Sequence, residues 1–190
     1  MTSDALRLAI VITSTRDKRG GPAVANWFLE RARAHGAFTP TLVDLLEVGL
    51  PLLDEPNHPL QQKYEKEHTK NWSELVSAAD AFVFVVPEYN YGMPPALLNA
   101  LDFLYKEWNY KAAAFVSYAG ISGGMRSVQM AKPLLTTLKM MPIPEGVTLP
   151  FYTKYVSDDG SFVPEESAER SATALLDELG RWTTALKTLR

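Results

Sequence analysis

The sequence predicts an α/β fold, an open parallel sheet of five strands with helices on both faces. Three observations carry this expectation. Short, continuously apolar runs rich in Val, Ile, Ala and Phe recur along the chain, as in "LRLAIVIT", "DAFVFVV" and "AAAFVSY". Such runs are the pattern of strands covered on both faces. Each is followed by a segment with helical spacing, and the connections are short, which implies parallel crossover units.

Taken in order, "LRLAIVIT" (6–13) is the first strand. "GPAVANWFLERARAH" (21–35) follows it as a helix, with Val24, Trp27 and Phe28 forming an apolar stripe and Arg31 at its edge. "TPTLVDLL" (39–46) reads as the second strand, and a proline-broken connection leads to a polar helix expected from Leu60 to Ala78, whose apolar contacts are Tyr64, Trp72, Leu75 and Val76. "DAFVFVV" (80–86) is the third strand. "PPALLNALDFLYKEW" (94–108) is a helix with Leu97, Leu98, Leu101, Leu104 and Tyr105 on one face, and its prolines suit a first turn where their missing N–H groups are not needed.

"AAAFVSY" (112–118) is the fourth strand, and a helix follows that Pro133 kinks or interrupts. "PIPEGVTLPF" (142–151) is expected to hold the fifth strand, against the weight of its three prolines. "SDDGS" (157–161) is a turn. Pro164, Glu165 and Glu166 open a last helix with Leu175, Leu179, Trp182, Leu186 and Leu189 as its stripe, which two heptads make too short for a coiled coil and better suited to packing on the sheet.

Composition narrows the function classes. A chain of 190 residues, 46% apolar and 22% charged, suits one domain over 1–190. The net charge of -3 leaves no basic field for sequence-independent nucleic-acid binding. No apolar run approaches the roughly 20 residues that span a bilayer, and a cytoplasmic protein with no membrane partner is expected. With no cysteine, thiolate nucleophiles, disulfides and Cys metal sites are excluded. The three histidines, His35, His58 and His68, lack metal-site spacing, so no metal is expected. Redox chemistry in such a chain comes from a bound cofactor.

Three loops concentrate the remaining chemistry. "TSTRDKRGGPAV" (13–24) offers hydroxyls at Ser14 and Thr15, guanidinium groups at Arg16 and Arg19, and Gly20, Gly21 and Pro22 leading into a helix N-terminus. That set suits a phosphate. It is neither a Walker loop nor a dinucleotide fingerprint, and by itself it also fits an ordinary polar loop. The second loop, Pro87 to Met93 in "PEYNYGM", lines the same edge if the strand order is 2-1-3-4-5, because strands one and three then flank the switch point. Tyr89 and Tyr91 offer flat surfaces and Gly92 a close backbone approach, although a plain turn would use the same residues. The third loop, "SYAGISGGMR" (117–126), brings donors at Ser117 and Tyr118 and a pliable run through Gly120, Gly123 and Gly124.

Together, "STRDKRGGPAVANW", "PEYNYGMPPALLNALDFL" and "KAAAFVSYAGISGGMR" resemble the motif set of the NADPH-dependent FMN reductases, a flavodoxin-like group with quinone, azo-dye and chromate reductases. The resemblance covers most of the chain and is weakest after about Met140. It implies a flavodoxin-like three-layer sandwich. It also implies an NAD(P)H oxidoreductase in which FMN takes a hydride from NADPH or NADH and passes it to a small acceptor such as free flavin, a quinone or an azo compound. The alternative is a flavodoxin-type electron carrier.

Carried over by position, the resemblance implies that Ser14, Arg16 and Arg19, with the backbone at Gly20 and Gly21, hold the FMN phosphate. Pro87, Glu88, Tyr89, Asn90, Tyr91 and Gly92 would border the ring, with Ser117, Tyr118, Gly120 and Gly123 on its other edge. No protein residue need act as catalytic acid, base or nucleophile. Glu88 either touches the flavin or pairs across a subunit interface. Trp108 and Tyr110 are similar to interface residues of a homodimer or homotetramer. Thr13 stands where many members of the family have glycine and Ala119 where glycine is usual, and Ala119 would be strained if its position demanded a positive φ.

Overall fold

In a computed structural model that describes residues 5–190, five parallel strands form one sheet in the order β2-β1-β3-β4-β5. The strands are β1 (Leu6–Ile12), β2 (Phe38–Asp44), β3 (Ala81–Pro87), β4 (Ala112–Ala119) and β5 (Met141–Pro150). The helices are α1 (Gly21–His35), α2 (Leu45–Val48), α3 (Glu67–Ala78), α4 (Pro95–Asp102), α5 (Met125–Thr137) and α6 (Glu166–Lys187). No described helix is long and apolar enough to cross a membrane.

Alternation along each strand divides the core into two layers. Leu8, Ile10 and Ile12 of β1 meet α1 and α6, where Phe28, Leu175 and Leu179 are buried. Ala9 and Val11 face the other side, where Phe82, Phe84, Trp72 and Trp108 pack with α3, α4 and α5. β3 is buried along its whole length, which explains why its sequence is an unbroken apolar run. Pro142, Pro144 and Pro150 do not break β5 because it lies at the sheet edge and pairs within the sheet with β4 alone; its register shifts between Ala113 and Phe115.

Four expectations need correction. The helix expected from Leu60 to Ala78 is a 3-10 turn at Pro59–Gln61, an irregular stretch, and then α3 from Glu67. The Glu55 carboxylate accepts the Glu65 and Lys66 N–H groups, so a long-range side chain satisfies the backbone that a longer helix would have used. The helix expected over 94–108 stops at Asp102, and a second 3-10 turn at Lys106–Trp108 folds Trp108 inward. Trp108 is therefore a core residue and not an exposed interface residue: it is fully buried, its indole N–H donates to Leu101 O at 3.2 Å, and its ring lies 5.0 Å from Phe82. Leu189, placed on the α6 stripe, is exposed beyond the end of α6.

At the amino edge of the sheet the charged groups satisfy one another. Asp80, just before β3, has a buried carboxylate that receives Arg7 at 3.2 Å, Lys187 at 3.3 Å and Arg190 at 3.4 Å, together with the Arg7 N–H. Burial raises its pKa, but the hydrogen bonds from Arg7 and Lys187 outweigh it and bring the carboxyl down to about 2. Beside it, Lys111 is buried and donates to Val76 O at 2.6 Å and Ser77 O at 3.3 Å, carbonyls of the last turn of α3. Burial, helped by the Arg190 charge, pushes its ammonium down to about 7.

Candidate functional site

The carboxyl ends of β1, β3 and β4 lie side by side, so the three loops after them meet at the opposite edge. They enclose a cleft of about 250 Å³. Its lining includes Arg16, Arg19 and Gly20 from the first loop, Pro87, Glu88 and Tyr89 from the second, and Tyr118 with Gly120 from the third. The other expected residues belong to the same loops but do not line this cleft, and Ser117 lines a separate cavity between α5 and β5. Ser14, Gly21, Ser117 and Gly123 are buried beneath the loops, while Asn90 and Tyr91 are exposed above them with Gly92 partly covered.

The first loop is fixed by an ion pair that no local pattern announces. Arg19 and Asp44, each 12% exposed, form a bidentate pair with contacts of 2.7 and 2.6 Å, and Arg19 also donates to Ser14 O. Asp44 in turn caps α2 by accepting the Leu46 N–H at 3.0 Å. The hydrogen bond to Asp44 raises the Arg19 pKa, so this guanidinium is charged but neutralised. Arg16 differs: its guanidinium lies 5.4 Å from the centre of the Tyr89 ring, and no described carboxylate pairs with it.

Ser14 is buried, and its hydroxyl oxygen accepts from the Tyr118 hydroxyl at 3.2 Å. Burial pushes the Tyr118 phenol up, so it stays protonated. Gly21 is a glycine for want of space: a Cβ there would run into Ser14 Oγ and come within 3.0 Å of the Tyr118 hydroxyl. The helix that starts here carries no acidic residue in its first turn, and Pro22 stands at its entry. The positive end of α1 thus faces the cleft without a competing carboxylate.

The second loop turns on Asn90 and Tyr91, whose φ values are +48° and +71°. Tyr89 and Gly92 exchange backbone hydrogen bonds of 3.0 and 2.9 Å across them, the geometry of a two-residue primed turn. Glu88 pairs within its own chain: its oxygens accept the Arg126 guanidinium at 2.7 Å and the Arg126 N–H at 3.1 Å. Burial raises the Glu88 pKa, but these bonds and the Ser122 hydroxyl together hold its carboxyl below the usual range. Arg126 also sits 3.9 Å over the Tyr91 ring. Glu88, Arg126 and Tyr91 therefore fasten the second loop to the start of α5.

Thr13 and Ala119 fit their places. The Thr13 hydroxyl donates to Val85 O at 2.9 Å, and Ala119 closes β4 opposite Pro150 without a positive φ. One lining residue escaped the sequence reading. Tyr152, in the 3-10 turn after β5, reaches the cleft and packs edge-on against Tyr118 at 4.8 Å.

The residues present fit a flavin mononucleotide. A cation without a carboxylate partner, an open helix N-terminus and close-packed glycines stand at one end, and tyrosine rings and strand-end backbone line the rest. The same conclusion comes from likeness to other proteins. The family model for NADPH-dependent FMN reductase matches residues 6–154. The chain is 40% identical over 148 residues to an NAD(P)H-dependent FMN reductase of Schizosaccharomyces pombe, covering 76% of this chain and 74% of that one. It is 30% identical over 153 residues to a quinone reductase of Pseudomonas putida, covering 76% and 78%. The fold is shared with FerB, a flavoenzyme NAD(P)H:(acceptor) oxidoreductase of Paracoccus denitrificans, at a TM-score of 0.73 and 20% identity over 95% of this chain and 98% of that one.

Proposed function

The chain belongs to the NADPH-dependent FMN reductase family, and from that premise we propose that the carboxyl-edge cleft binds FMN and serves an NAD(P)H:acceptor oxidoreductase. In this reading the whole chain acts as one FMN-binding domain. When bound, FMN would supply the redox chemistry, hydride transfer from a nicotinamide to an acceptor of the quinone or free-flavin kind.

The protein's task is to bind, orient and polarise. Arg16 and the N-terminus of α1 hold the phosphate, and Arg19 acts one step back by fixing the loop through Asp44 and Ser14 O. Pro87, Tyr89 and the backbone through Gly92 border one side of the ring, with Tyr118, Ala119 and Gly120 along the other. Backbone N–H groups at these strand ends would supply donors toward the polar edge of the ring. Glu88 works by holding its loop in place, since Arg126 already takes both of its oxygens.

The observation that carries this reading is the meeting of the three loops in one cleft whose Arg16 has no carboxylate partner among the described residues. Exposed side chains on the second and third loops, Tyr91 at 72% and Ile121 at 80%, support a homo-oligomer that covers them. Light scattering on the purified protein tests that assembly. A cysteine-free chain drawing on NAD(P)H fits the cytoplasm.

The functional test is a visible spectrum of the purified protein, or of the protein reconstituted with FMN, recorded before and after anaerobic NADPH and then after benzoquinone. Flavin bands that bleach with NADPH and return with quinone are expected. Bands that persist under both NADPH and NADH would favour an electron carrier, and a colourless protein that takes up no FMN would contradict the assignment.

A further inference from the structure

We infer that Tyr152 is a ligand for the phosphate end of the cofactor, its phenolic hydroxyl donating to the FMN phosphate beside Arg16. The inference rests on the FMN reading above and begins from a shortage of donors. Four polar side chains of the first loop suggest themselves from sequence as phosphate ligands, yet two are held elsewhere. Arg19 is bound bidentately by Asp44, and Ser14, whose oxygen accepts from Tyr118, is fully buried and does not line the cleft. Thr15 is exposed and does not line the cleft. A phosphate presents several acceptor atoms, and of those four side chains Arg16 alone is left to serve them.

Tyr152 is placed to make up the difference. It lines the cleft with Arg16 and Gly20, and among the described residues its hydroxyl has no hydrogen-bond partner. The hydroxyl edge of its ring fills the space over Gly20, where a Cβ would lie 2.7 Å from the phenolic oxygen and collide with Cε2. Gly20 has a negative φ, so the glycine serves this packing and not an unusual backbone conformation.

The chain goes to some length to hold the ring there. Phe151 adopts a left-handed conformation at φ +50°, unfavourable for a residue with a side chain, and its N–H donates to Gly120 O at 3.0 Å. That bond ties the turn after β5 to the third loop. The Tyr118 ring supports Tyr152 from one side, and Glu88, the carboxylate of the cleft lining, is committed to Arg126 and does not oppose an anion. A phenol fixed at the phosphate end with its proton unshared is a donor waiting for an acceptor.

The experiment measures dissociation constants for FMN and for riboflavin, which lacks the phosphate, by flavin fluorescence quenching on the wild-type chain and on Tyr152→Phe. The substitution keeps the ring packed on Tyr118 and removes only the hydroxyl. The FMN Kd is expected to rise about tenfold while the riboflavin Kd changes by less than about twofold, with an unchanged urea midpoint. An unchanged FMN Kd would overturn the inference, and so would an equal rise for both ligands, which would assign the hydroxyl to the ring or ribityl chain. A lowered urea midpoint with no difference between the ligands would make it a structural group. If the wild-type chain bound neither FMN nor riboflavin, the FMN reading itself would fail, a result visible without any variant.

Discussion

The two edges of the sheet handle charge in opposite ways. At the amino edge Asp80 gathers Arg7, Lys187 and Arg190, and Lys111 is capped by the end of α3. At the carboxyl edge Arg19 is paired and Glu88 is latched, but Arg16 and the Tyr152 hydroxyl have no partner of that kind among the described residues. Closed networks hold a fold together; groups left unsatisfied at a cleft meet a ligand. The contrast separates residues that should govern stability from those that should govern cofactor affinity.

The largest effect should fall on stability at the amino edge. Asp80→Ala removes a buried carboxylate and leaves the Arg7 N–H and three cations without it, so urea unfolding should show a loss of about 3 kcal/mol. The pH profile gives the sign: with a folded pKa near 2 against an ordinary value of 3.8, the carboxylate contributes stability above about pH 4 that disappears as pH falls toward 2. The variant should lack that acid-dependent loss.

Next comes Arg16→Ala at the other edge. Deleting a charge-assisted phosphate contact should raise the FMN Kd by about tenfold to a hundredfold, leaving the unfolding free energy of the cofactor-free protein within about 0.5 kcal/mol of wild type. A large loss of stability with unchanged FMN affinity would erase the distinction between the edges.

Lys111 sharpens the same comparison through pH. Its folded pKa of about 7 lies below the ordinary 10.5, so the unfolded chain binds the additional proton between those values and stability should rise as pH climbs from 7 toward 10. The slope of that contribution is at most about 1.4 kcal/mol per pH unit, and Lys111→Met should flatten it in urea titrations. The smallest effect belongs to neither edge: Glu166→Gln breaks an exposed pair with Arg170 on α6 and should change stability by no more than about 0.5 kcal/mol.

What could be read in the sequence follows from the range of the physics. Strands announce themselves because β3 and β4 are buried along nearly their whole length, and burial writes a local apolar run. The three loops were legible because each directly follows such a strand. Arg19 was legible as a cation but not as a paired one, since Asp44 is 25 residues away and no spacing rule joins them. Glu88 and Arg126 are 38 apart, so the choice between flavin contact and subunit contact missed the third option inside the chain. Trp108 stood as an interface residue through the resemblance alone, and the 3-10 turn that buries it carries no helical period to mark it for the core. Tyr152 was missed for a different reason: it follows the edge strand β5, and its approach to the cleft depends on the backbone reversal at Phe151.

The most direct test of the division between edges is hydrogen exchange by mass spectrometry on the wild-type protein with and without FMN. The account predicts added protection in residues 13–24, 87–93 and 117–126 and in the turn that carries Tyr152, with none at 78–81 or 185–190. Protection at the Asp80 edge, or bound FMN that leaves the three loops unchanged, would contradict it.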